Sequence, residues 1–291
     1  MDTANKLYPL LKSWFSQHAR DLPWRHTTDP WAILVCEVMS QQTPVARVIP
    51  AWHEWLQRWP TPNDLASASP AEVLRAWDRM GYPRRALRLL ECAQIIRDEW
   101  AGEVPRERAD LLSLPGIGPY TADAILAFAY QRRSVVLDTN IRRVLARWHG
   151  AALPPPSPRK FELARADAFV PADDEHAAEW NAAIMEFGAL VCTAKSPTCD
   201  TCPVNKMCGW FQAGHPEDEF AQTRTTQKWE GTNRQARGAI MGVLRSAPEA
   251  LLVRELHAQS KLGEHRFDRA MVSLLEDGLI TEESGRISLP H

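Results

Sequence analysis

A chain of 291 residues is long enough for two or three domains with hydrophobic cores of their own. Its 45% hydrophobic and 24% charged residues are typical of a globular protein, and no apolar run approaches the roughly 20 residues that span a bilayer. A net charge of −2 gives no global attraction to nucleic acid, so DNA binding would depend on local groups of cations. The first residues lack the apolar stretch of a signal peptide, and we therefore expect a cytoplasmic protein.

Apolar residues at helical spacing predict an all-α assembly of about ten helices before the C-terminal region. The first predicted helix covers residues 4–18, and Asp29 and Pro30 supply a cap and a first turn for the second. Glu37 lies in this second helix among apolar neighbours. Further helices are predicted over residues 45–59, 71–77, 84–100, 119–130, 139–149, 160–169 and 177–192.

A glycine-rich turn inside residues 111–140 is the motif around which these helices are organised. Gly116 and Gly118 can both adopt positive φ, and Pro119 after them suits a first helical turn. The pattern predicts a helix, a tight hairpin and a second helix. Such a helix start can bind a phosphate through its free N–H groups, although the same sequence also suits an ordinary turn between helices.

Four cysteines follow in a segment rich in Pro, Ser, Thr and Asn, with the spacing C-x6-C-x2-C-x5-C: Cys192, Cys199, Cys202 and Cys208. Four thiolates from one short segment can enclose one metal centre, whereas disulfides are the weaker explanation in a cytoplasmic chain. Zinc sites usually contain two tight pairs and this segment has one, so the wider arcs suit a bulkier iron–sulfur cluster better than zinc. Cys36 and Cys92 fall on apolar helix positions and are predicted to be core residues.

The C-terminal region is predicted to be a linker followed by a small separate domain. Residues 213–231 are polar and lack periodicity, which is typical of a linker. Beyond them, three short helices and two strands around Ser284 and Gly285 indicate a winged-helix-like domain. The predicted organisation is a main domain over residues 1–212 with a cysteine loop at 192–208, a linker over 213–231, and a C-terminal domain over 232–291.

Taken together, these features resemble the helix-hairpin-helix DNA glycosylases, and within them the adenine DNA glycosylases of the MutY type. The motifs that carry the resemblance are residues 22–25 (LPWR), 37–43 (EVMSQQT), 81–82 (GY), the hairpin with Tyr120, 138–140 (DTN) and the four cysteines. The resemblance covers roughly residues 7–210. It implies a two-lobed helical fold, a [4Fe–4S] cluster on the cysteines, and a monomer that binds double-stranded DNA near the nucleoid.

The resemblance also implies which residues catalyse the reaction. Glu37 would protonate the extruded base, with its pKa raised by apolar surroundings, and Asp138 would face the sugar and stabilise an oxocarbenium-like transition state. Taken alone, Glu37 could be an ion-paired helix residue and Asp138 a helix cap. Tyr120 stands where endonuclease III-like relatives have a lysine, and since a tyrosine cannot form a Schiff base, a monofunctional enzyme is expected.

The same resemblance assigns residues that contact DNA. Gln41, Gln42 and Tyr82 resemble side chains that wedge into the base stack and fill the gap beside the estranged base. Arg25 and Asn140 resemble supports of the base pocket and of Asp138. Arg142 stands where relatives often have a lysine, and Gly116 and Gly118 would bind the DNA backbone.

The implied reaction is hydrolysis of the N-glycosidic bond of adenine mispaired with 8-oxoguanine or guanine. Two departures keep alternatives open. Relatives commonly carry Gln or Glu where this chain has Ala182, and the roughly 60 residues after Trp229 are too few for the domain that recognises the oxidised guanine in many relatives. The alternatives are a monofunctional glycosylase for mismatched thymine, uracil or another damaged base, and a noncatalytic iron–sulfur protein that binds DNA.

Overall fold

A computed structural model describes residues 2–224 and 229–291, with side chains from residue 6 onward. The chain divides into two compact units. The first unit contains residues 1–33, 106–112 and 117–225, and the second contains residues 34–105, 113–116 and 226–291. The C-terminal residues therefore belong to the same compact unit as the helices of residues 34–105.

Fifteen α-helices lie within the described ranges: α1 Asp2–His18, α2 Pro30–Ser40, α3 Val45–Arg58, α4 Pro62–Ala66, α5 Pro70–Trp77, α6 Arg84–Glu99, α7 Arg108–Ser113, α8 Pro119–Phe128, α9 Thr139–Trp148, α10 Lys160–Asp167, α11 Asp174–Leu190, α12 Gly209–Gln212, α13 Asn233–Ser246, α14 Val253–Ser260 and α15 Glu264–Glu276. Three short strands follow or interrupt the last helices: β1 Leu251–Leu252, β2 Thr281–Glu283 and β3 Arg286–Ser288. The predicted all-α class of the main domain is confirmed. Among the described residues, no helix is both long and apolar enough to cross a membrane.

The predicted helices are confirmed with small shifts at their ends. Asp29 accepts a hydrogen bond from the backbone N–H of Trp31 (3.0 Å), so α2 begins at Pro30 as its sequence indicates. Helix α11 begins three residues earlier than predicted, because Asp173 caps it by accepting from the N–H of His176 (3.0 Å). Helix α7 is the helix predicted before the glycine-rich turn. The structure adds the short helices α4 and α12, whose five and four residues are too few to show a periodic pattern.

The core of the first unit is built by α1, α9 and α11, which pack against one another in pairs α1–α11 and α9–α11. Leu11 from α1, Val144 from α9, and Trp180 and Phe187 from α11 are buried in one cluster. Trp14 meets Phe187 edge to face at a ring-centroid distance of 5.4 Å. Because α9 lies in this core, its first residue is held by a rigid scaffold.

The second unit has an aromatic core that fixes α3 against α5. Trp55 contacts Trp59 and Trp77 edge to face at centroid distances of 4.6 and 5.5 Å. Helices α4 and α5 both begin with a reciprocal capping box, led by Thr61 and Ser69, and both pack against α6.

The C-terminal residues form the three predicted helices and the predicted terminal hairpin. Ser284 and Gly285 both have positive φ (51° and 73°), the geometry of a tight two-residue hairpin turn between β2 and β3. Strand β1, which the sequence did not reveal, pairs antiparallel with β3 and gives the sheet order β1-β3-β2. Helix α13 packs against α15 and against α5. The predicted linker over residues 213–231 includes residues 225–228, which lie outside the described residues.

Candidate functional site

Asp138 is the N-cap of α9, and its carboxylate is held at both oxygens. Oδ1 accepts from the backbone N–H of Ile141 (2.6 Å), and Oδ2 accepts from the side-chain amide of Asn140 (2.9 Å). Burial raises the pKa of Asp138 above its usual 3.8, although the hydrogen bonds from Ile141 and Asn140 act in the opposite direction. The structure thus brings the predicted pair Asp138 and Asn140 together in one fixed geometry.

Arg143 fixes the orientation of Asn140 from the next turn of α9. Its Nη2 donates to Asn140 Oδ1 (2.8 Å) and to the carbonyl of Gly188 (2.6 Å), while its Nε donates to the carbonyl of Cys192 (2.8 Å). Because Asn140 Oδ1 accepts from a cation, its amide group is turned toward Asp138. Arg143 was not predicted as a site residue, since nothing in its sequence context shows which carbonyls it reaches.

Gly188 on α11 allows the close approach of α11 to the start of α9. A Cβ added at Gly188 would lie 2.8 Å from Asn140 Cβ and 3.2 Å from the Asn140 backbone carbonyl group. Any side chain at this position would therefore displace the turn that holds Asp138 and Asn140. Gly188 is a second site-supporting residue that sequence reasoning missed.

Glu37, the predicted acid, is in the second unit on α2. Its exposed fraction is 9%, and its neighbours Cys36 and Val38 are buried in the core. A carboxyl group in such surroundings loses the solvation that favours its ionised form. The placement of Glu37 on a largely apolar helix agrees with the expectation from the sequence.

Arg85 in α6 holds the chain segments that carry the predicted wedge residues. Its Nη1 donates to the carbonyls of Val38 (2.9 Å), Met39 (3.1 Å) and Gln41 (2.5 Å) at the end of α2. Its Nη2 donates to the carbonyls of Met80 and Gly81, both at 3.0 Å, and to the Thr43 hydroxyl at 3.0 Å. Burial lowers the pKa of Arg85 to about 10, which still leaves it protonated at neutral pH. One half-buried guanidinium therefore brings the Gln41–Gln42 segment and the Tyr82 segment together.

Two of the predicted wedge residues have left-handed backbone conformations. The φ angles are 54° at Gln42 and 47° at Tyr82, values that are uncommon for residues other than glycine. Gln42 is exposed and the Tyr82 side chain is 40% exposed, while Gln41 is half-buried. Residues that combine a strained backbone conformation with a solvent-exposed side chain are often found at functional sites.

The predicted hairpin is present between α7 and α8, but only one of its glycines needs its conformational freedom. Gly116 has φ of 80°, whereas Gly118 is extended (φ −97°) and forms the N-cap of α8. Pro119 occupies the first turn of α8 as predicted. Tyr120 is the next residue and packs partly buried against the core of the first unit.

The four cysteines line one cavity of the first unit. All four are free thiols, and the cavity is completed mainly by apolar and aromatic side chains such as Phe187, Trp210 and Phe211. Among the described residues, no three His, Cys, Asp or Glu side chains are grouped closely enough to hold a single metal ion. Four thiols around one cavity are a donor set that can hold a metal centre.

Arg147 joins the cysteine cavity to α9. Its Nη1 donates to Cys192 Sγ (3.3 Å) and to the carbonyl of Thr193 (2.7 Å), and its guanidinium lies 4.6 Å from the Trp210 ring centre. Burial raises the pKa of Cys202 to about 12, so a metal centre would have to displace the thiol proton. A cation beside these sulfurs would stabilise their charged form.

Two predicted DNA contacts have intramolecular partners. Arg25 pairs with the buried carboxylate of Glu186 (3.0 Å), which also accepts from Arg20 (2.6 Å). Arg142 is largely buried and forms a two-bond pair with Glu162 at 2.9 and 3.0 Å. Both arginines therefore act within the first unit as structural cations, in addition to any contact with DNA.

Ala182, the departure noted in the sequence, is partly buried in the middle of α11. Its neighbour Asn181 is almost fully buried and donates to the carbonyl of Ser134 (3.0 Å). The short side chain at position 182 supplies no hydrogen-bonding group of its own.

Comparisons with known proteins identify what this arrangement is similar to. A family model described as HhH-GPD superfamily base excision DNA repair protein matches residues 35–168. An adenine DNA glycosylase of Mycolicibacterium smegmatis is 48% identical over 282 residues, which cover 96% of this chain and 94% of the relative. A thymine-DNA glycosylase of Aeropyrum pernix is 35% identical over 207 residues, which cover 69% of this chain and 92% of the relative. The solved structure of a thermostable thymine-DNA glycosylase has a TM-score of 0.67 at 26% identity, covering 73% of this chain and 98% of that structure.

Proposed function

The chain belongs to the adenine DNA glycosylases of the HhH-GPD superfamily of base excision DNA repair proteins, and we propose that it removes adenine mispaired with 8-oxoguanine or guanine. The observation that carries the proposal is the Asp138 carboxylate, held by Ile141 and Asn140 at the start of α9. The adenine-specific relative is similar along nearly the whole chain, including most of the C-terminal residues, because only 4% of the chain lies outside the match.

The chemistry needs one carboxylic acid and one carboxylate. Glu37 donates a proton to the adenine ring, so that the base leaves as a neutral molecule. Asp138 remains ionised and stabilises positive charge on the sugar as the bond to the base breaks. Water then attacks the anomeric carbon and releases a proton, which replaces the proton that Glu37 donated, and the products are free adenine and an abasic site.

Tyr120 makes the enzyme monofunctional. A phenol cannot form the Schiff base that a lysine forms with the opened sugar, so the abasic strand is not cleaved by this route. Borohydride should therefore trap no covalent adduct, and strand cleavage should require added base or heat. A trapped adduct or spontaneous cleavage would contradict this part of the proposal.

The substrate is double-stranded DNA, bound by a monomer in the cytoplasm at the nucleoid. Backbone N–H groups at the start of α8, beside Gly116 and Gly118, bind a phosphate of the damaged strand. Gln41, Gln42 and Tyr82 occupy the gap left in the stack by the extruded base. Their segments are held in place by Arg85, which supports a rigid rather than an adaptable wedge.

We also propose that Cys192, Cys199, Cys202 and Cys208 hold a [4Fe–4S] cluster. The donor set fits, because four free thiols line one cavity with a cation, Arg147, beside them. With four cysteine ligands the cluster would have no open position for substrate, so it would stabilise the loop over residues 192–208. Visible absorbance and iron content of the purified protein test this assignment.

Single-turnover excision on a panel of duplexes tests the function. We expect adenine to be released from duplexes with 8-oxoguanine or guanine opposite, and no release from a matched A·T pair. The second candidate function is removal of mismatched thymine or uracil, favoured by the 35% identical thymine-DNA glycosylase. Excision confined to thymine or uracil would establish that candidate, and excision of no base would leave a DNA-binding protein without catalytic activity.

A further inference from the structure

The C-terminal module, residues 232–291, contacts the side chain of Tyr82. Arg234 on α13 donates from Nη1 to the Tyr82 hydroxyl, and its guanidinium lies 5.3 Å from the Tyr82 ring centre. The same guanidinium lies 4.8 Å from the ring of Trp229, just before the module. Arg85 is a second cation near the Tyr82 ring, at 5.7 Å. These distances are those of cation–π contacts, and they order a ring that is 40% exposed.

Both ends of the segment that carries Tyr82, residues 78–84, also contact the C-terminal module. At the start, the Arg245 guanidinium lies 3.6 Å from the carboxylate of Asp78. At the end, Arg84 pairs with Asp277 (3.1 Å), which is itself paired with Arg237 (2.5 Å) inside the module. The module therefore contacts this segment at three points: its two ends and the Tyr82 hydroxyl.

The backbone of the segment is already fixed without Arg234. Asp78, Gly81 and Tyr82 all have positive φ, at 38°, 76° and 47°. The Gly81 carbonyl accepts from the indole N–H of Trp77 (2.9 Å) and from Arg85 (3.0 Å), which holds this conformation. What remains to be ordered is the orientation of the Tyr82 ring, and Arg234 contacts that ring and its hydroxyl.

We propose that Arg234 is a positioning residue for Tyr82, through which the C-terminal module orders the aromatic wedge before DNA binds. The inference rests on the proposed function, in which Tyr82 enters the base stack beside the extruded base. A side chain that is ordered beforehand loses less conformational entropy on insertion, so its contribution to binding is larger. Loss of Arg234 should weaken binding to the mismatched duplex about two- to tenfold.

A direct contact between Arg234 and a DNA phosphate would be a different role with different consequences. Such a contact would not depend on Tyr82, and a lysine at the same position would preserve it because the charge is retained. A positioning role depends on the planar guanidinium, which both stacks on the ring and donates to the hydroxyl, and a lysine should not replace it.

Binding titrations of the full chain decide between these roles. The duplex carries adenine opposite 8-oxoguanine with 2-aminopurine as the neighbouring base, whose fluorescence reports unstacking by the wedge, and Glu37→Gln is the background that keeps the substrate intact. The variants are Arg234→Ala, Arg234→Lys, Tyr82→Ala and the double variant Arg234→Ala/Tyr82→Ala.

We expect both Arg234 variants to bind two- to tenfold more weakly with a smaller fluorescence change. The double variant should bind with the same affinity as Tyr82→Ala. The proposal would be overturned if Arg234→Ala weakened binding as much in the Tyr82→Ala background as in the chain that retains Tyr82. Binding by Arg234→Lys as tight as that of the chain without a substitution at position 234 would also overturn it.

Arg254→Ala is the matched control, because it removes an exposed cation from the same module on α14. It should bind and unstack DNA like the unsubstituted chain, and a defect equal to that of Arg234→Ala would assign the effect to module charge alone. Arg234 is itself exposed, so its replacement should leave the thermal midpoint unchanged. The proposed function fails if the wild-type chain releases no adenine. This inference is decided separately, by whether the effect of Arg234→Ala on DNA binding depends on Tyr82 in the Glu37→Gln background.

Discussion

At the scale of single residues, the two oxygens of Asp138 have different partners and therefore different roles. Oδ1 caps α9 through Ile141, and Oδ2 is oriented by Asn140. An asparagine at position 138 would retain the capping oxygen, since Asn and Asp are equally good N-caps, but it would lose the negative charge, and its amide nitrogen would replace the oxygen that accepts from Asn140. The capping and catalytic contributions of this residue can thus be separated by one substitution.

Asp138→Asn should lower the single-turnover excision rate at least 100-fold while lowering the free energy of unfolding by about 1–3 kcal/mol, because the capping bond remains but the Asn140 amide loses its acceptor. The control is Asp173→Asn, which makes the same change at the N-cap of α11 and should leave excision unaffected. Urea denaturation and excision assays on both variants check this. A large loss of stability with excision otherwise normal would make Asp138 a structural cap alone.

Glu186 is the second residue whose charge the structure singles out. Burial opposes its ionisation, but hydrogen bonds from Arg20 and Arg25 outweigh this effect and lower the pKa of Glu186 to about 2. Since the pKa is lower in the folded state than in the unfolded chain, the pair stabilises the protein above about pH 4.5. That stabilisation is lost as the pH falls from about 4.5 toward 2.

Glu186→Gln should lower the free energy of unfolding by roughly 3 kcal/mol at pH 7 and flatten its dependence on pH between 4.5 and 2. Glu179→Gln is the matched control on the same helix, because Glu179 pairs with Lys12 at a side chain that is 31% exposed. Its effect should be about 1 kcal/mol or less. Chemical denaturation at several pH values measures both variants, and equal losses would contradict the special role of the buried pair.

At the scale of elements, Gly188 determines how closely α11 approaches the start of α9. A methyl group there would lie 2.8 Å from Asn140 Cβ, so one of the two helices must shift. Gly188→Ala should lower the free energy of unfolding by about 1–3 kcal/mol and reduce excision, because Asp138 and Asn140 move with the helix. Unfolding and single-turnover assays on the same preparation test both parts.

Gly238→Ala is the control for this substitution. Gly238 lies inside α13, and an added Cβ would have no atom within 4 Å. Replacing an unhindered helical glycine should stabilise the helix by about 0.5–1 kcal/mol, with no effect on the start of α9. Two glycine substitutions in helix interiors should therefore have opposite signs, and a stabilising Gly188→Ala would show that the α9–α11 contact is not tight.

Most helices could be predicted from the sequence because the spacing of their apolar residues and their capping residues indicate the same boundaries. Asp29 with Pro30 and Gly118 with Pro119 gave the starts of α2 and α8. Strand β1 escaped prediction because its two residues show no alternation, and pairing with β3 defines it. Motif similarity singled out Asp138 and Tyr82 as candidate site residues, but not Arg85, Arg143 or Gly188. Each of those three has at least one contact with backbone or a side chain more than 40 residues away in the chain, which no local pattern encodes.

At the scale of the whole molecule, the cysteine cavity connects distant parts of the first unit. Its lining draws on α9, α11, α12 and the loop between α11 and α12. A metal centre held by all four cysteines would therefore tie these elements together and stabilise the loop over residues 192–208.

Cys202→Ser should lower the iron content and the visible absorbance and also reduce the thermal midpoint of the protein. Cys92→Ala is the matched control, because Cys92 is fully buried in α6 of the second unit and should affect stability without changing the absorbance. Iron analysis, an absorption spectrum and thermal unfolding distinguish the two. Normal iron content in Cys202→Ser, or zinc in the unsubstituted protein, would contradict the cluster assignment.

Helix α9 has a consequence for how this family can vary in sequence. Seven of its ten residues are buried: Ile141, Arg143, Val144, Leu145, Ala146, Arg147 and Trp148. Its more exposed polar residues Asn140 and Arg142 are bonded to Asp138 and Glu162. Few positions of the helix should therefore tolerate substitution. A mutational scan should show loss of stability or activity at nearly every position from 138 to 148. Substitutions near the cysteine loop can therefore affect the distant carboxylate, because Arg143 donates both to the Cys192 carbonyl and to Asn140, which is hydrogen-bonded to Asp138.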